Sequence, residues 1–302
     1  VLVKTKEPLQ EARRLAQRFR VTDGDTFRLK DFDPAETLGL DEEDEPRAKK
    51  LLKEGVELLA EMQERLYAQD RWALLLIFQA MDAAGKDSAI EHVMSGVNPQ
   101  GCQVFSFKAP SAEDLDHDFM WRCVKCLPER GRIGIFNRSY YEETLVVQVH
   151  PELLEKQHLP VRLVNRSIWK QRYRHMRHFE EYLSANGIVV RKFFLNVSKD
   201  EQRKRFLARI DDSTKNWKFS VGDVAERQHW REYMAAYENT IRGTATADAP
   251  WYVVPADNKW FTRLMVAAVI AETLDSLSLQ FPQLKPAQRK ELAATRAKLT
   301  RD

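Results

Sequence analysis

Cysteine, long apolar runs and net charge are all scarce in this sequence, and each shortage closes off a class of protein. Only Cys102, Cys123 and Cys126 occur among 302 residues. An odd number of thiols, with a lone C-x-x-C and no second Cys/His pair nearby, argues against a disulfide framework or a zinc centre and for reduced cysteines. No apolar run approaches the roughly 20 residues of a membrane span, and the N-terminus has no signal-peptide h-region, so a cytoplasmic location with no membrane partner is expected. The formal net charge is +3, so attraction to an anion must come from local clusters of basic residues rather than from the average. Internal repeats and low-complexity tracts are missing as well. What remains is 43% hydrophobic and 31% charged, a balance that supports a folded core under a charged surface. The length suits one elaborated α/β domain.

Residues 1–70 read as a charged, amphipathic, helical extension, interrupted by the turn and acidic residues at Asp23-Gly-Asp25 and Asp31 to Asp44. Leu52, Val56, Leu59, Met62 and Leu66 recur at three and four and predict a helix that leads into a buried strand, Ala73 to Gln79. Further β-type runs stand at Gln103 to Phe107, Ile133 to Phe136, Val189 to Val197 and Trp251 to Val254, separated by helical periodicity. Strands alternating with helices imply an α/β, doubly wound parallel sheet of five strands, with residues 71–280 as the core. Residues 281–302, carrying Pro282, Pro286 and many basic side chains, read as a terminal helix or loosely held tail without chemistry.

Directly after the first strand comes Ala80-Met-Asp-Ala-Ala-Gly85-Lys86-Asp87-Ser88, followed by a helical segment. Phosphate binding asks for close backbone N–H groups, a helix N-terminus and a lysine. Ala83, Ala84, Gly85 and Lys86 supply these, with Asp87 and Ser88 where a Walker A loop has its hydroxyl. The first glycine of that pattern is Ala80, so an ordinary glycine turn with an exposed lysine is the plain alternative. Asp82 weighs against it, because a carboxylate in an anion-binding loop requires a shared cation, and Mg²⁺ is the expected one, with Mn²⁺ as a substitute.

A second strand, Ile133 to Phe136, ends in Asn137-Arg138-Ser139-Tyr140-Tyr141-Glu142-Glu143. A carboxylate is expected at such a strand end, and an amide stands there, which leaves Asp82 and Glu142 to supply charge beside Asn137. The planar fork of Arg138 suits phosphate, although a surface ion pair with Glu142 or Glu143 is equally compatible. Six Lys/Arg residues occupy Arg162 to Arg177 without an acid. On one helix, Arg162, Arg166, Lys170 and Arg174 would form a cationic stripe, either solvated or a polyanion track. The tract Lys199 to Lys218, with Arg209, Lys215 and Lys218, reads as a kinase lid within residues 199–231. Trp217 fits packing beneath that lid, or base stacking.

Taken together, QAMDAAGKDS, FSFKAPS, HDFMWR, GRIGIFNRSYYEE, WKFS with GD and ER after it, and APWYVVPADNKWF resemble the polyphosphate kinase 2 family over residues 50–280. The resemblance implies a thymidylate-kinase-like P-loop kinase, three-layer α/β/α with a helical lid. It also implies Mg²⁺-dependent, reversible phosphoryl transfer between inorganic polyphosphate and nucleotides. Asp82 and Lys86 resemble the family's P-loop aspartate and lysine. Lys108, Arg122 and Arg138 resemble its phosphate-contacting cations, while Arg209, Lys215 and Lys218 fall in its lid. Asn137 and Glu142 match the class III-like subgroup associated with nucleoside mono- and diphosphates, AMP to ADP and ADP to ATP. Homo-oligomers, dimers or tetramers, are implied too, with no nucleic-acid partner. Two rivals remain: an ATP-dependent nucleoside or nucleotide kinase of the same fold, and a non-catalytic polyanion-binding module.

Overall fold

Every residue of the stretch ALLLIFQA, Ala73–Ala80, is buried. A strand apolar on both faces needs cover on both, which is the environment of a parallel sheet between helical layers. The computed structural model describes residues 6–214 and 216–300. Leaving aside 3-10 helices and one-turn α-helices, the elements in chain order are α1 (Lys6–Arg18), β1 (Arg20–Val21), α2 (Glu45–Gln69), β2 (Ala73–Ala80), α3 (Lys86–Met94), β3 (Cys102–Ser106) and β4 (Ile133–Asn137). There follow α4 (Ile168–Ala185), β5 (Ile188–Asn196), α5 (Lys199–Asp211), α6 (Val221–Glu226), α7 (Trp230–Thr244), β6 (Trp251–Pro255), α8 (Lys259–Ser276) and α9 (Pro286–Leu299).

The strands lie in the order β1-β6-β5-β2-β4-β3. β2 to β6 are the five expected strands, and all their pairings are parallel. The sheet nevertheless has six strands and is mixed, because Arg20 and Val21 pair antiparallel with Tyr252 and Trp251. Two residues carry no period-2 signal, so this pairing is set by tertiary contact alone. β5 shows how its faces divide: Arg191 Nε donates to Thr273 Oγ1 of α8 at 3.1 Å, whereas Lys192 Nζ donates to Glu180 Oε2 of α4 at 2.6 Å. Successive side chains point to opposite faces of a strand. α1, α2 and α3 pack with α8 in one layer, and α4 packs with α7 in the other.

The periodic face of α2 behaves as expected, with Leu59, Met62 and Leu66 buried and Asp70 closing the helix in a left-handed conformation. Each such burial stabilises the fold by about 1.5–3 kcal/mol. The segment before residue 70, read from the sequence as an extension, contributes Leu15, Phe19 and Val21 to the same core as the strands. The cationic stripe expected along one helix is broken. Arg162 lies in the 3-10 turn Val161–Leu163, and Asn165 Oδ1 accepts from the Ser167 N–H at 2.9 Å, so α4 starts only at Ile168. Arg172 is also not a surface cation, being 12% exposed and 3.0 Å from Glu143.

Candidate active site

The strand order reverses direction around β2, whose neighbours are β4 on one side and β5 on the other. Ligands of open α/β sheets bind outside the carboxyl ends of the strands at such a point. Residues 81–85 occupy that position. Ala83 (φ +60°) and Gly85 (φ +102°) are left-handed, and they turn the backbone into the start of α3, whose N-cap is Gly85. A loop of this kind presents consecutive N–H groups to an anion, with the positive end of a helix behind them. Lys86, at the first helical position, places Nζ 3.4 Å from the Ala80 carbonyl oxygen. Burial, and then the neighbouring Arg138 charge, lower the Lys86 pKa from its ordinary value, while Asp82, Glu142 and Asp87 oppose this. An anionic ligand would reverse the effect, so the site is electrostatically prepared for phosphate.

At the end of β4, Arg138 takes φ +64°. A side-chain-bearing residue in that region costs about 1–2 kcal/mol, and such strain gathers at functional sites. The turn aims the guanidinium back over the loop: it donates to Asp82 Oδ1 at 2.9 Å and to Glu142 Oε2 at 3.5 Å. The ion pair with Glu142 expected as the plain alternative therefore exists, together with a second one that joins both sequence motifs. Glu142 is the leading cause of a raised Arg138 pKa, and burial pushes the Glu142 carboxyl up. With its amide nitrogen facing Glu142, Gln79 donates to Glu142 Oε1 at 2.9 Å.

The remaining predicted residues divide. Asn137 donates to Asp87 Oδ1 at 2.6 Å, and Ser88 Oγ accepts from Arg263 at 2.7 Å. Arg122 donates to the Lys108 carbonyl oxygen at 2.6 Å. Both Lys108 and Arg122 line a cavity of about 270 Å³ that also takes in Phe119, Arg138 and Glu142. Arg209 is half-buried in the last turn of α5, its guanidinium carbon 5.9 Å from the Phe206 ring centre. Lys215 and the Lys218 side chain lie outside the described residues. Trp217 is 77% exposed, so it does not pack beneath the lid.

Three residues hold roles that the sequence does not assign to them, Arg205 among them, which by sequence is one cation of the Lys199 to Lys218 tract. Arg205, 7% exposed, donates to the carbonyl oxygens of Ala83 (3.1 Å), Ala84 (2.8 Å), Ala256 (2.6 Å) and Asp257 (2.9 Å). Gln202 donates to the Asp82 carbonyl oxygen at 2.9 Å. With these carbonyls held from behind, the path of the loop is fixed, and within it the Ala84 N–H donates to the Met81 carbonyl oxygen at 3.2 Å. Asp223 of α6 has its pKa raised by burial and by Asp82, with Arg209 and Arg138 opposing, so the Gly-Asp pair of the family resemblance lies in the field of the site. Only that last residue carried a signal, through its motif.

No group of three or more His, Cys, Asp or Glu suited to holding a metal occurs among the described residues. Mg²⁺ does not require one, since it commonly takes one or two carboxylates plus substrate phosphates and water. Asp82, 28% exposed beside the loop, fits that role. Asn137 and Glu142 are engaged with Asp87 and with Arg138, so their bonds within the protein orient the carboxylates around the loop.

A family model described as polyphosphate kinase 2 matches residues 41–282. The chain is 58% identical over 250 residues to an ADP-polyphosphate phosphotransferase of Rhodopseudomonas palustris, covering 82% of this chain and 86% of that one. It is 42% identical over 274 residues to an AMP/ADP-polyphosphate phosphotransferase of Meiothermus ruber, covering 91% and 98%. The crystal structure of polyphosphate kinase 2 from Arthrobacter aurescens superimposes with a TM-score of 0.84 at 39% identity, covering 93% of this chain and 96% of that one.

Proposed function

Because this chain belongs to the polyphosphate kinase 2 family, we propose that it transfers phosphoryl groups reversibly between inorganic polyphosphate and nucleotides, raising AMP to ADP and ADP to ATP. The observation that carries the reading is that Arg138 and Glu142 belong both to the phosphate loop centre and to the wall of the adjoining cavity. A donor phosphate on the loop and an acceptor in the cavity would thus meet at one guanidinium. An oxygen of the acceptor's terminal phosphate attacks the end phosphorus of polyphosphate, and the bond to the bridging oxygen breaks. The nucleotide gains one phosphoryl group and the polymer leaves one unit shorter. The acceptor is already ionised, so the chain has only to align the partners and stabilise charge.

In this reading Lys86, the N–H groups of Ala83 and of Gly85 to Ser88, and Arg138 hold the transferring group. Lys108 and Arg122 hold acceptor phosphates, and Arg209, Lys215 and Lys218 close over the polymer. Mg²⁺, or Mn²⁺ in its place, held at Asp82 supplies neutralisation of the phosphate oxygens. The enzyme works in the cytoplasm, a reading supported by three free thiols. A homo-oligomer, dimer or tetramer, would cover Leu292 and Leu299, which α9 leaves exposed.

The test mixes purified protein with Mg²⁺ and polyphosphate, offers AMP or ADP separately, and follows products by chromatography beside Lys86→Ala. ATP formed from ADP and lost in the variant supports the proposal. Transfer from ATP to a nucleotide, with none from polyphosphate, would replace it with an ATP-dependent kinase.

A further inference from the structure

Between the two site residues Arg138 and Glu142 stand Tyr140 and Tyr141, both essentially buried. Both hydroxyls donate to one carboxylate oxygen of Glu180 on α4, Tyr140 at 2.8 Å and Tyr141 at 2.6 Å. The other oxygen accepts from Lys192 of β5 at 2.6 Å, and the same ammonium donates to the Tyr141 hydroxyl at 3.2 Å and to the Thr244 carbonyl oxygen of α7 at 2.8 Å. Glu180 is 1% exposed and Lys192 0%. One carboxylate and one ammonium thereby join four pieces of chain inside the layer behind the sheet: the turn after β4, α4, β5 and the end of α7.

We infer that Tyr140 and Tyr141, tethered through their hydroxyls to the Glu180 side chain, are positioning residues for the phosphoryl-transfer site and hold Arg138 and Glu142 at their working distance. Two independent observations support it. The first is the position of the strain: Arg138 is left-handed at φ +64°, and a turn entered through an unfavourable residue relaxes unless the residues after it are fixed. Ser139 Oγ accepts from the Tyr141 N–H at 3.1 Å, and the tyrosine rings then fix the turn from behind. The second is the completeness of the network. A buried ion pair contributes little to stability against an apolar pair of the same shape, and its best attested use is to specify one arrangement. Burial, and then the Glu180 charge, push both tyrosine hydroxyls well above their ordinary pKa, so they remain donors across the working pH range.

The inference rests on the proposed transfer activity, and the unmodified enzyme serves as the reference for it. Tyr140→Phe/Tyr141→Phe keeps the rings and removes the tether. Glu180→Gln/Lys192→Met keeps an oxygen acceptor for the tyrosines and removes both charges. Steady-state kinetics with polyphosphate and ADP are read beside the melting temperature of each. The expected result is a kcat at least 10-fold lower in the tyrosine variant, a smaller change in KM for either substrate, and a kcat within about 3-fold of the unmodified enzyme for the charge-free pair. A tyrosine variant whose kcat stays within 2-fold overturns the inference, whatever happens to its melting temperature. Equal losses of kcat in both variants also overturn it, since the charge and not the tether would then matter. If the double variant does not fold, Tyr141→Phe alone is judged by the same kcat criterion. An unmodified enzyme that forms no ATP would refute the activity itself, an outcome distinct from both.

Discussion

Replacing Arg205 by Met should loosen the phosphate loop from behind while leaving every anion-facing group in place. The guanidinium donates to four carbonyl oxygens, two in the loop and two after β6, and to Glu201 at 2.9 Å. Hydrogen bonds to a charged group contribute about 1.5–3 kcal/mol each, but bonds sharing one donor group do not add. The loop backbone can also rotate towards water. Breaking a buried charged set typically costs about 3–5 kcal/mol, and that is the loss expected here, a large share of the roughly 5–15 kcal/mol that holds a domain together. At about 2–4 °C per kcal/mol, the melting temperature should fall by about 6–20 °C. Urea unfolding followed by circular dichroism measures the free energy, and KM for polyphosphate should rise in parallel. Arg205→Lys should recover only part, because a single ammonium cannot span two loops. A loss below about 1 kcal/mol with unchanged KM would refute the idea that this arginine braces the loop.

Arg138→Lys keeps the charge and loses the planar fork that reaches Asp82 and Glu142 together, so kcat should drop by about 10-fold or more in the same assay. The folded pKa of Lys86 lies below that of the unfolded chain. Between the two values the unfolded state binds more protons, so ligand-free stability should rise with pH there. Denaturant titrations at several alkaline pH values should find that rise absent in Lys86→Met. Chelation with EDTA should stop turnover yet leave the melting temperature within about 1 °C, because the described residues hold no metal cluster that could support the fold.

Elements with a local cause were legible in advance. β2 announces itself because eight consecutive residues must be buried, and the loop after it because small residues, a lysine and an aspartate coincide. The pairing of Arg138 with Asp82 spans 56 residues and could be argued only as two separate motifs. The basic run at 162–177 misled because charge spacing says nothing of where a helix begins, and Asn165 with Ser167 decides that. Arg205 looked like one more lid cation, since nothing local tells a guanidinium facing water from one facing four carbonyls. Lys192 did carry a hint, a lysine inside the run VVRKFFLN, where an unpaired charge would be untenable. Its partner Glu180, on a neighbouring helix, could not be named from spacing.

The antiparallel edge formed by Arg20 and Val21 against Tyr252 and Trp251 also has a temporal side. On the ribosome the two halves of that contact emerge about 230 residues apart, which at roughly 5–20 residues per second is a delay of about 10–50 s. During that interval Phe19 has no Phe261 to meet, although the two rings end 6.1 Å apart in an edge-on contact. The amphipathic segment, made long before its partner, must therefore wait, apolar side out, for the last strand of the sheet. Holding that segment unaggregated until translation reaches β6 and α8 is a demand that this sheet edge places on the cell.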